Sequence, residues 1–342
     1  MLKTKFSSPN ILIAGCGFGG VALGITLKKA GIHSFKILER AADVGGVWRE
    51  NTYPGAACDV PSRFYSFSFE QEYPWSLRYA PQNEIYHYLK YCIKKYNLTP
   101  HIFFGVTISS AKFNKENFLW SVYSSGGSEY HANVFVSAVG LFNQPVIPEI
   151  PGKELFEGPQ FHSSRWDHSY DVTGKTIASI GTGASAIQYV PEISRKAKQL
   201  YVFQRTPQHI FPKGDHKNAV LEPIDKPWQT LMGRYERLKM FITFEKNSRR
   251  RSSDRLVKKS AENFQNHIEK LVKSPDLLAK IIPDYPPGCK RGLRSDEWYQ
   301  TLMKPDVELV DSEIRKFTKT AVKTADGTKR PVDAVVYGTG FK

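Results

Sequence analysis

Two stretches of this chain repeat one local plan, and together they leave few folds open. Residues 10–14 form a short apolar run. They are followed by Gly15-Cys16-Gly17-Phe18-Gly19-Gly20 and a helical pattern through Val21, Ile25 and Leu27, closed by Gly31. Residues 175–180 run in the same way into Gly181-Thr182-Gly183-Ala184-Ser185-Ala186 and an amphipathic helix reaching Ile193. A strand, a tight glycine turn and a helix N-terminus set bare N–H groups against a pyrophosphate, where the helix dipole also favours negative charge. Glycine is required because a Cβ would block the approach, and alanine in the third position of the second turn is a common variant. The expected fold is α/β, with two Rossmann-like dinucleotide-binding units.

What ends the strand after each turn separates the two units. Residues 35–38 end in Glu39, an acid placed to accept hydrogen bonds from a ribose hydroxyl. That favours an unphosphorylated ribose, as in FAD, and disfavours that of NADP. Residues 200–203 lead instead into Gln204-Arg205-Thr206. A guanidinium can bind a ribose 2′-phosphate bidentately, whereas a carboxylate would repel it. One acid-ended and one arginine-ended unit in a single chain point to FAD plus NADPH.

Composition removes several other classes. A chain of 342 residues can hold two lobes, and 41% hydrophobic with 24% charged residues is ordinary for a globular protein. The net charge of +15 invites a nucleic-acid reading, but lysine and arginine are spread along the chain and match no nucleic-acid module. A cofactor with several phosphates is a simpler use for part of that charge. The four cysteines, Cys16, Cys58, Cys92 and Cys289, form no Cys-x-x-Cys pair. This argues against a metal site, a disulfide framework and the flavin disulfide reductases, and suits a reducing compartment. No apolar run is long enough to span a bilayer and the N-terminus lacks a signal-peptide core, so a cytoplasmic protein is expected.

Between the two glycine turns in sequence lies Phe156-x-Gly158-x-x-x-His162-x-x-x-Trp166-Asp167. It has neither a helical nor an alternating period and reads as a shaped linker. Its spacing resembles the fingerprint of the Baeyer–Villiger monooxygenases, class B flavin enzymes that use NADPH and O2 to insert an oxygen atom beside a ketone carbonyl. Every defined position of that fingerprint is filled. The resemblance extends to Gly45-Gly46-Val47-Trp48, to Tyr53-Pro54-Gly55-Ala56 with Asp59, and to residues 283–291, which end in Lys290-Arg291.

The resemblance implies cofactor contacts from Gly15, Gly17, Phe18, Gly19, Gly20, Glu39, Arg40, Gly46, Val47, Trp48, Tyr53, Asp59 and Tyr65. It implies further contacts from Gly181, Thr182, Gly183, Ala184, Ser185, Arg205, Thr206 and Lys290. Arg291 would be the active-site cation, oriented by Asp59. His162 would couple cofactor binding to catalysis structurally rather than move protons. Read alone, Asp59 is a turn or helix-cap acid and Lys290-Arg291 a surface pair. The implied activity is insertion of one oxygen from O2 into a small-molecule ketone, giving an ester or lactone, in secondary-metabolite tailoring. The alternatives are a flavin monooxygenase acting on nitrogen or sulfur, and a truncated nucleotide-binding protein without oxygenase activity.

The expected domains are an FAD-binding part at 1–143, an NADP-binding part at 144–222 and 286–332, and a solvated, highly charged helical insertion at 223–285 that includes Arg249-Arg250-Arg251. Residues 333–342 are expected to form a return strand toward the FAD part. Members of the resembled family continue further, so the chain is expected to be a truncated frame that lacks the C-terminal completion of the FAD lobe.

Overall fold

The computed structural model describes residues 9–215, 226–250 and 253–342. Residues 216–225 and Arg251, which fall in the expected NADP-binding part and insertion, lie outside the described residues. The chain divides into two compact units, Met1–Glu50 with Gln82–Asn143 and Asn51–Pro81 with Gln144–Lys342.

In the first unit, the apolar runs become strands of a parallel sheet. Such strands are covered on both faces and therefore read as near-continuous hydrophobic stretches. β1 (Ile11–Ala14) is buried throughout and leads through the first glycine turn into α1 (Phe18–Lys29) and β2 (Phe35–Leu38). After the short α2 (Val47–Glu50), α3 (Gln82–Lys95) buries Ile85, Tyr88, Leu89, Cys92 and Ile93, one helical stripe, and β3 (Ile102–Phe103) follows. An antiparallel meander of β4 (Ile108–Asn114), β5 (Leu119–Ser124) and β6 (Glu129–Ala132) then carries the chain to β7 (Val134–Ser137). The sheet order is β3-β2-β1-β7, with Ala14 opposite both Leu38 and Ser137.

The second unit repeats that plan. β8 (Gln160–His162) precedes β9 (Thr176–Ile180), the second glycine turn, α4 (Ala186–Ile193) and β10 (Gln199–Phe203). β11 (Ile210–Phe211), α5 (Lys226–Arg250), α6 (Asp254–Leu271), α7 (Pro275–Ile281), β12 (Leu293–Arg294), α8 (Trp298–Leu302) and β13 (Val307–Val310) follow. A second meander of β14 (Ile314–Phe317), β15 (Ala321–Thr324) and β16 (Lys329–Pro331) leads to β17 (Ala334–Tyr337). The sheet order is β13-β10-β9-β17-β8, parallel at every pair.

Four expectations need correction. Residues 51–81, read as part of the first lobe, cluster with the second unit. Residues 333–342 also stay in the second unit, where β17 is an internal strand between β9 and β8. The insertion is not merely solvated: Phe264 and Ile268 of α6, Val272 and Ile281 are buried in the core formed by β9, α4, β10 and α8. The fingerprint is not a linker, because its centre is β8, the edge strand of the second sheet, followed by a tight turn over Ser163–Arg165.

Candidate active site

The two glycine turns share one geometry. Gly15 (φ +101°) and Gly181 (φ +104°) open them, and a Cβ on either would meet a carbonyl oxygen, that of Ala138 at 2.7 Å or of Gly338 at 2.5 Å. Both clashing residues follow the strand that closes the meander, so the first glycine lets the turn pack against that strand. At the second glycine the surroundings are clear. A Cβ on Gly17 would meet only Gly46 Cα at 3.7 Å, and one on Gly183 only the Gly338 oxygen at 4.0 Å. Neither α1 nor α4 has a side-chain cap at its N-terminus or an acid in its first turn. Uncapped N–H groups beside open backbone, with no acid in the first turn of either helix, are the requirements for holding an anion.

Glu39 follows β2, is buried, and accepts from the N–H of Cys16 at 2.8 Å and of Ala41 at 2.9 Å. Its carboxylate therefore holds the first turn in shape, and an ionised carboxylate with about four lone-pair sites retains acceptor capacity beyond two bonds. Arg40 lies 3.9 Å from Glu50. Gly46, Val47 and Trp48 follow the first turn's neighbour Gly45, whose N–H donates to Cys16 O at 3.0 Å. Arg205 stands two residues beyond β10 and is exposed, next to partly buried Thr206. Buried Thr182, exposed Ala184 and partly buried Ser185 complete the second turn.

Lys290 and Arg291 lie on the loop between α7 and β12. Lys290 Nζ sits 4.6 Å from the Tyr285 ring centroid, and the Tyr285 hydroxyl donates to Pro207 O at 2.8 Å. The lysine loop is thus tied to the chain two residues after Arg205. Arg291 donates from one nitrogen, Nη2, to both oxygens of Asp59 at 2.6 and 2.5 Å. With Arg291 58% exposed and Asp59 22%, such a pair is worth only about 0–1 kcal/mol. It orients the guanidinium but is too weak to order the two segments that carry it.

The segment that carries Asp59 is ordered by contacts of its own. Tyr53 Oη donates to Gln188 Oε1 at 3.0 Å, and burial pushes its phenol up to about 12, so it keeps its proton. Cys58 N donates to Ala80 O at 2.9 Å, and Tyr65 N to Pro61 O at 3.0 Å. Tyr53, Asp59 and Tyr65 therefore all belong to the second unit.

The fingerprint residues each have a visible physical task. Phe156 is buried against Phe317, and a Cβ on Gly158 would meet Asp333 O at 2.3 Å, so only glycine lets β8 approach β17 there. Trp166 packs edge-on against Phe161 and tilted against Tyr189 of α4, and Asp167 accepts from Ser169 N at 2.9 Å. Hydrogen bonds from Ser169 hold the Asp167 carboxyl below its usual range. His162 is buried; its Nδ1 accepts from Ser164 N at 3.1 Å, and its ring meets Phe341 at 5.4 Å. The neutral ring then carries its proton on Nε2, which finds no hydrogen-bond partner of good geometry among the described residues. Burial lowers its pKa, the Arg165 charge adds to this, and the nearby Gly340 backbone offsets only part.

Sequence reasoning missed Gln188, His209 and Tyr285. Gln188 has no motif of its own; its position one helical turn beyond a glycine turn was the available signal. His209 is buried among Phe211, Phe264 and Tyr285, and its Nδ1 has no hydrogen-bond partner among the described residues. Among the described residues, no group of acids, histidines and cysteines could hold a metal ion, and no helix is long and apolar enough to cross a membrane.

Two parallel sheets with matching glycine turns, and an Arg–Asp pair in the second unit, define a paired Rossmann architecture. The chain belongs to the flavin-binding monooxygenase-like family, whose pattern matches residues 10–342. It is 37% identical to a Baeyer–Villiger monooxygenase of Streptomyces coelicolor, over 97% of this chain and 64% of that protein. It is 39% identical to one of Pseudomonas aeruginosa, over 97% of this chain and 63% of the relative. The chain thus spans less than two thirds of the length of these relatives. The solved structure of OTEMO in complex with FAD and NADP matches with a TM-score of 0.86 at 26% identity, covering 98% of this chain and 72% of that one.

Proposed function

We propose that the chain carries the FAD- and NADPH-binding parts of a monooxygenase that inserts one oxygen atom from O2 beside a ketone carbonyl, giving an ester or lactone. Tailoring of ketone-bearing secondary metabolites is the setting of that reading. The observation that carries it is the pairing of Arg291 with Asp59 in a chain with one acid-ended and one arginine-ended nucleotide turn. Clear backbone at Gly17 and Gly183 fits two pyrophosphates. Glu39 fits an unphosphorylated ribose, and exposed Arg205 with Lys290 fits a 2′-phosphate.

Bound FAD would supply the activation of O2 with electrons drawn from NADPH. The protein's own part is electrostatic. Arg291 stabilises the negative charge that builds on the ketone oxygen when the carbonyl is attacked, and Asp59 aims the guanidinium through charge-assisted hydrogen bonds. His162 stays neutral and buried, which suits a structural coupling role better than proton exchange with solvent.

The test supplies the purified protein with FAD, NADPH and a cyclic ketone and follows the lactone by mass spectrometry. Arg291→Ala should lower product formation by about 10²–10³-fold while leaving bleaching of the flavin absorbance by NADPH intact. Loss of both together, or sulfoxide from a sulfide probe with no ester from any ketone, overturns the reading. His162→Ala should slow turnover without loss of bound flavin.

A further inference from the structure

We infer that Gln188 is the positioning residue that sets the Asp59–Arg291 pair, by clamping residues 53–57 to the helix that follows the second nucleotide turn. The inference rests on the proposed function for its meaning, though not for its geometry.

Gln188 uses both ends of its amide. Its Oε1 accepts from Tyr53 Oη at 3.0 Å and from Ala57 N at 3.3 Å, and its Nε2 donates to Ala57 O at 3.0 Å. The side chain thus pairs with Ala57 as a neighbouring peptide would, one donor and one acceptor to one residue. The backbone takes part as well. Gly55 (φ +75°) would place a Cβ 2.7 Å from Gln188 O, so the close approach of this segment to α4 depends on glycine there. Tyr53 keeps its proton because of burial and is available as the donor.

The consequence falls on Asp59, two residues after the clamped Ala57. Its partner Arg291 is more than half exposed, so the ion pair follows the backbone that presents Asp59 rather than fixing it. Gln188 N donates in turn to Ser185 O at 3.0 Å, in the last part of the Gly181–Ala186 turn. The nucleotide turn, the start of α4 and the acid that orients Arg291 form one connected unit. Gln188 touches no reacting atom and acts through Asp59.

The experiment reads the pair directly and needs neither cofactor nor turnover. The full chain is treated with phenylglyoxal, and modification of Arg291 is timed by peptide mass spectrometry. Asp59→Asn should speed that modification about threefold, the scale of a weak surface ion pair. Gln188→Leu should speed it to a similar degree, with an unchanged circular-dichroism spectrum. The double variant should be no faster than Asp59→Asn alone, because both changes break one interaction. Gln188→Glu, which keeps the acceptor but not the donor, should fall between wild type and Gln188→Leu, and it serves if Gln188→Leu does not fold. Wild-type modification rates in both Gln188 variants alongside an accelerated Asp59→Asn, or additive effects in the double variant, overturn the inference. Failure of the ketone assay with the expected modification pattern would count against the proposed function alone.

Discussion

The two nucleotide units use one topology and differ in how tightly their turns are built. In each, a parallel β-α-β start is followed by a three-stranded meander and a last strand beside the first, Val134–Ser137 in one and Ala334–Tyr337 in the other. Each last strand delivers a carbonyl against the first glycine, Ala138 O or Gly338 O. The third position differs. A Cβ on Gly20 would lie 2.0 Å from Gly15 O, whereas Ala186 carries its methyl buried in the second turn. The strand-end residue differs too: Glu39 is buried and bonded to the turn's own backbone, and Arg205 is exposed. The first unit has made its strand-end acid part of its scaffold, and the second has left its strand-end cation outside.

Exchanging the third residues should have the largest effect. Gly20→Ala should destabilise the first unit by about 3 kcal/mol or more, because the blocking atom is backbone and α1 would have to move off the turn. Ala186→Gly should cost the second unit only about 0.5–1 kcal/mol, the usual price of glycine in a helix. Urea denaturation of each variant checks the asymmetry, and equal effects would mean the turns are interchangeable after all.

Next in size is Glu39→Ala. It leaves the N–H groups of Cys16 and Ala41 without their acceptor, at about 1–3 kcal/mol for each such group if it stays dry. Loss of stability without added FAD, measured by thermal melting, separates this scaffold task from ribose binding. Glu39→Gln, which keeps one acceptor oxygen, should recover part of it.

Two buried histidines give the second unit a pH dependence. His162 and His209, both in the second unit, have pKa values lowered by burial. The unfolded chain therefore binds more protons than the folded one as pH falls through the ordinary histidine value of about 6.5, so stability rises with pH across that window. Their stabilisation is complete above about 6.5 and is lost as pH drops toward the lowered folded values. The slope cannot exceed about 1.4 kcal/mol per pH unit for each histidine. His209→Phe should flatten the fall in melting temperature between about pH 6.5 and 5. An unchanged slope would place the acid sensitivity elsewhere.

Much of this was legible in the sequence, because the turns are local. Strand, glycine spacing and helix are encoded within about 20 residues of one another, and the acid or arginine at the next strand end follows at a fixed interval. Asp59 and Arg291 could be paired only through resemblance, since 232 residues separate them and neither sits in a periodic element. Gln188 is invisible in the sequence because two of its three contacts to this segment are with backbone atoms of Ala57, which leave no side-chain signature, and its one side-chain partner, Tyr53, lies 135 residues away. Residues 51–81 were assigned to the first unit on chain order, which cannot report a packing preference carried by Gly55 and Tyr53. The fingerprint looked like a linker because a three-residue edge strand is too short to show a period.

The smallest expected effect on stability is that of Arg205→Ala, and for that reason it separates the two strand ends most cleanly. Arg205 is exposed, so its truncation should change stability by no more than about 0.5 kcal/mol, against the loss expected at Glu39. Its consequence should appear only where a 2′-phosphate is present. The KM for NADPH should rise while that for NADH stays near wild type, since the two differ by the group a guanidinium would bind. Lys290→Ala should act in the same direction, as its ammonium stands over Tyr285, itself bonded to Pro207 beyond Arg205. A variant of Arg205 that melts early, or that loses NADH as readily as NADPH, would show that the second unit, like the first, has built its strand-end residue into the scaffold.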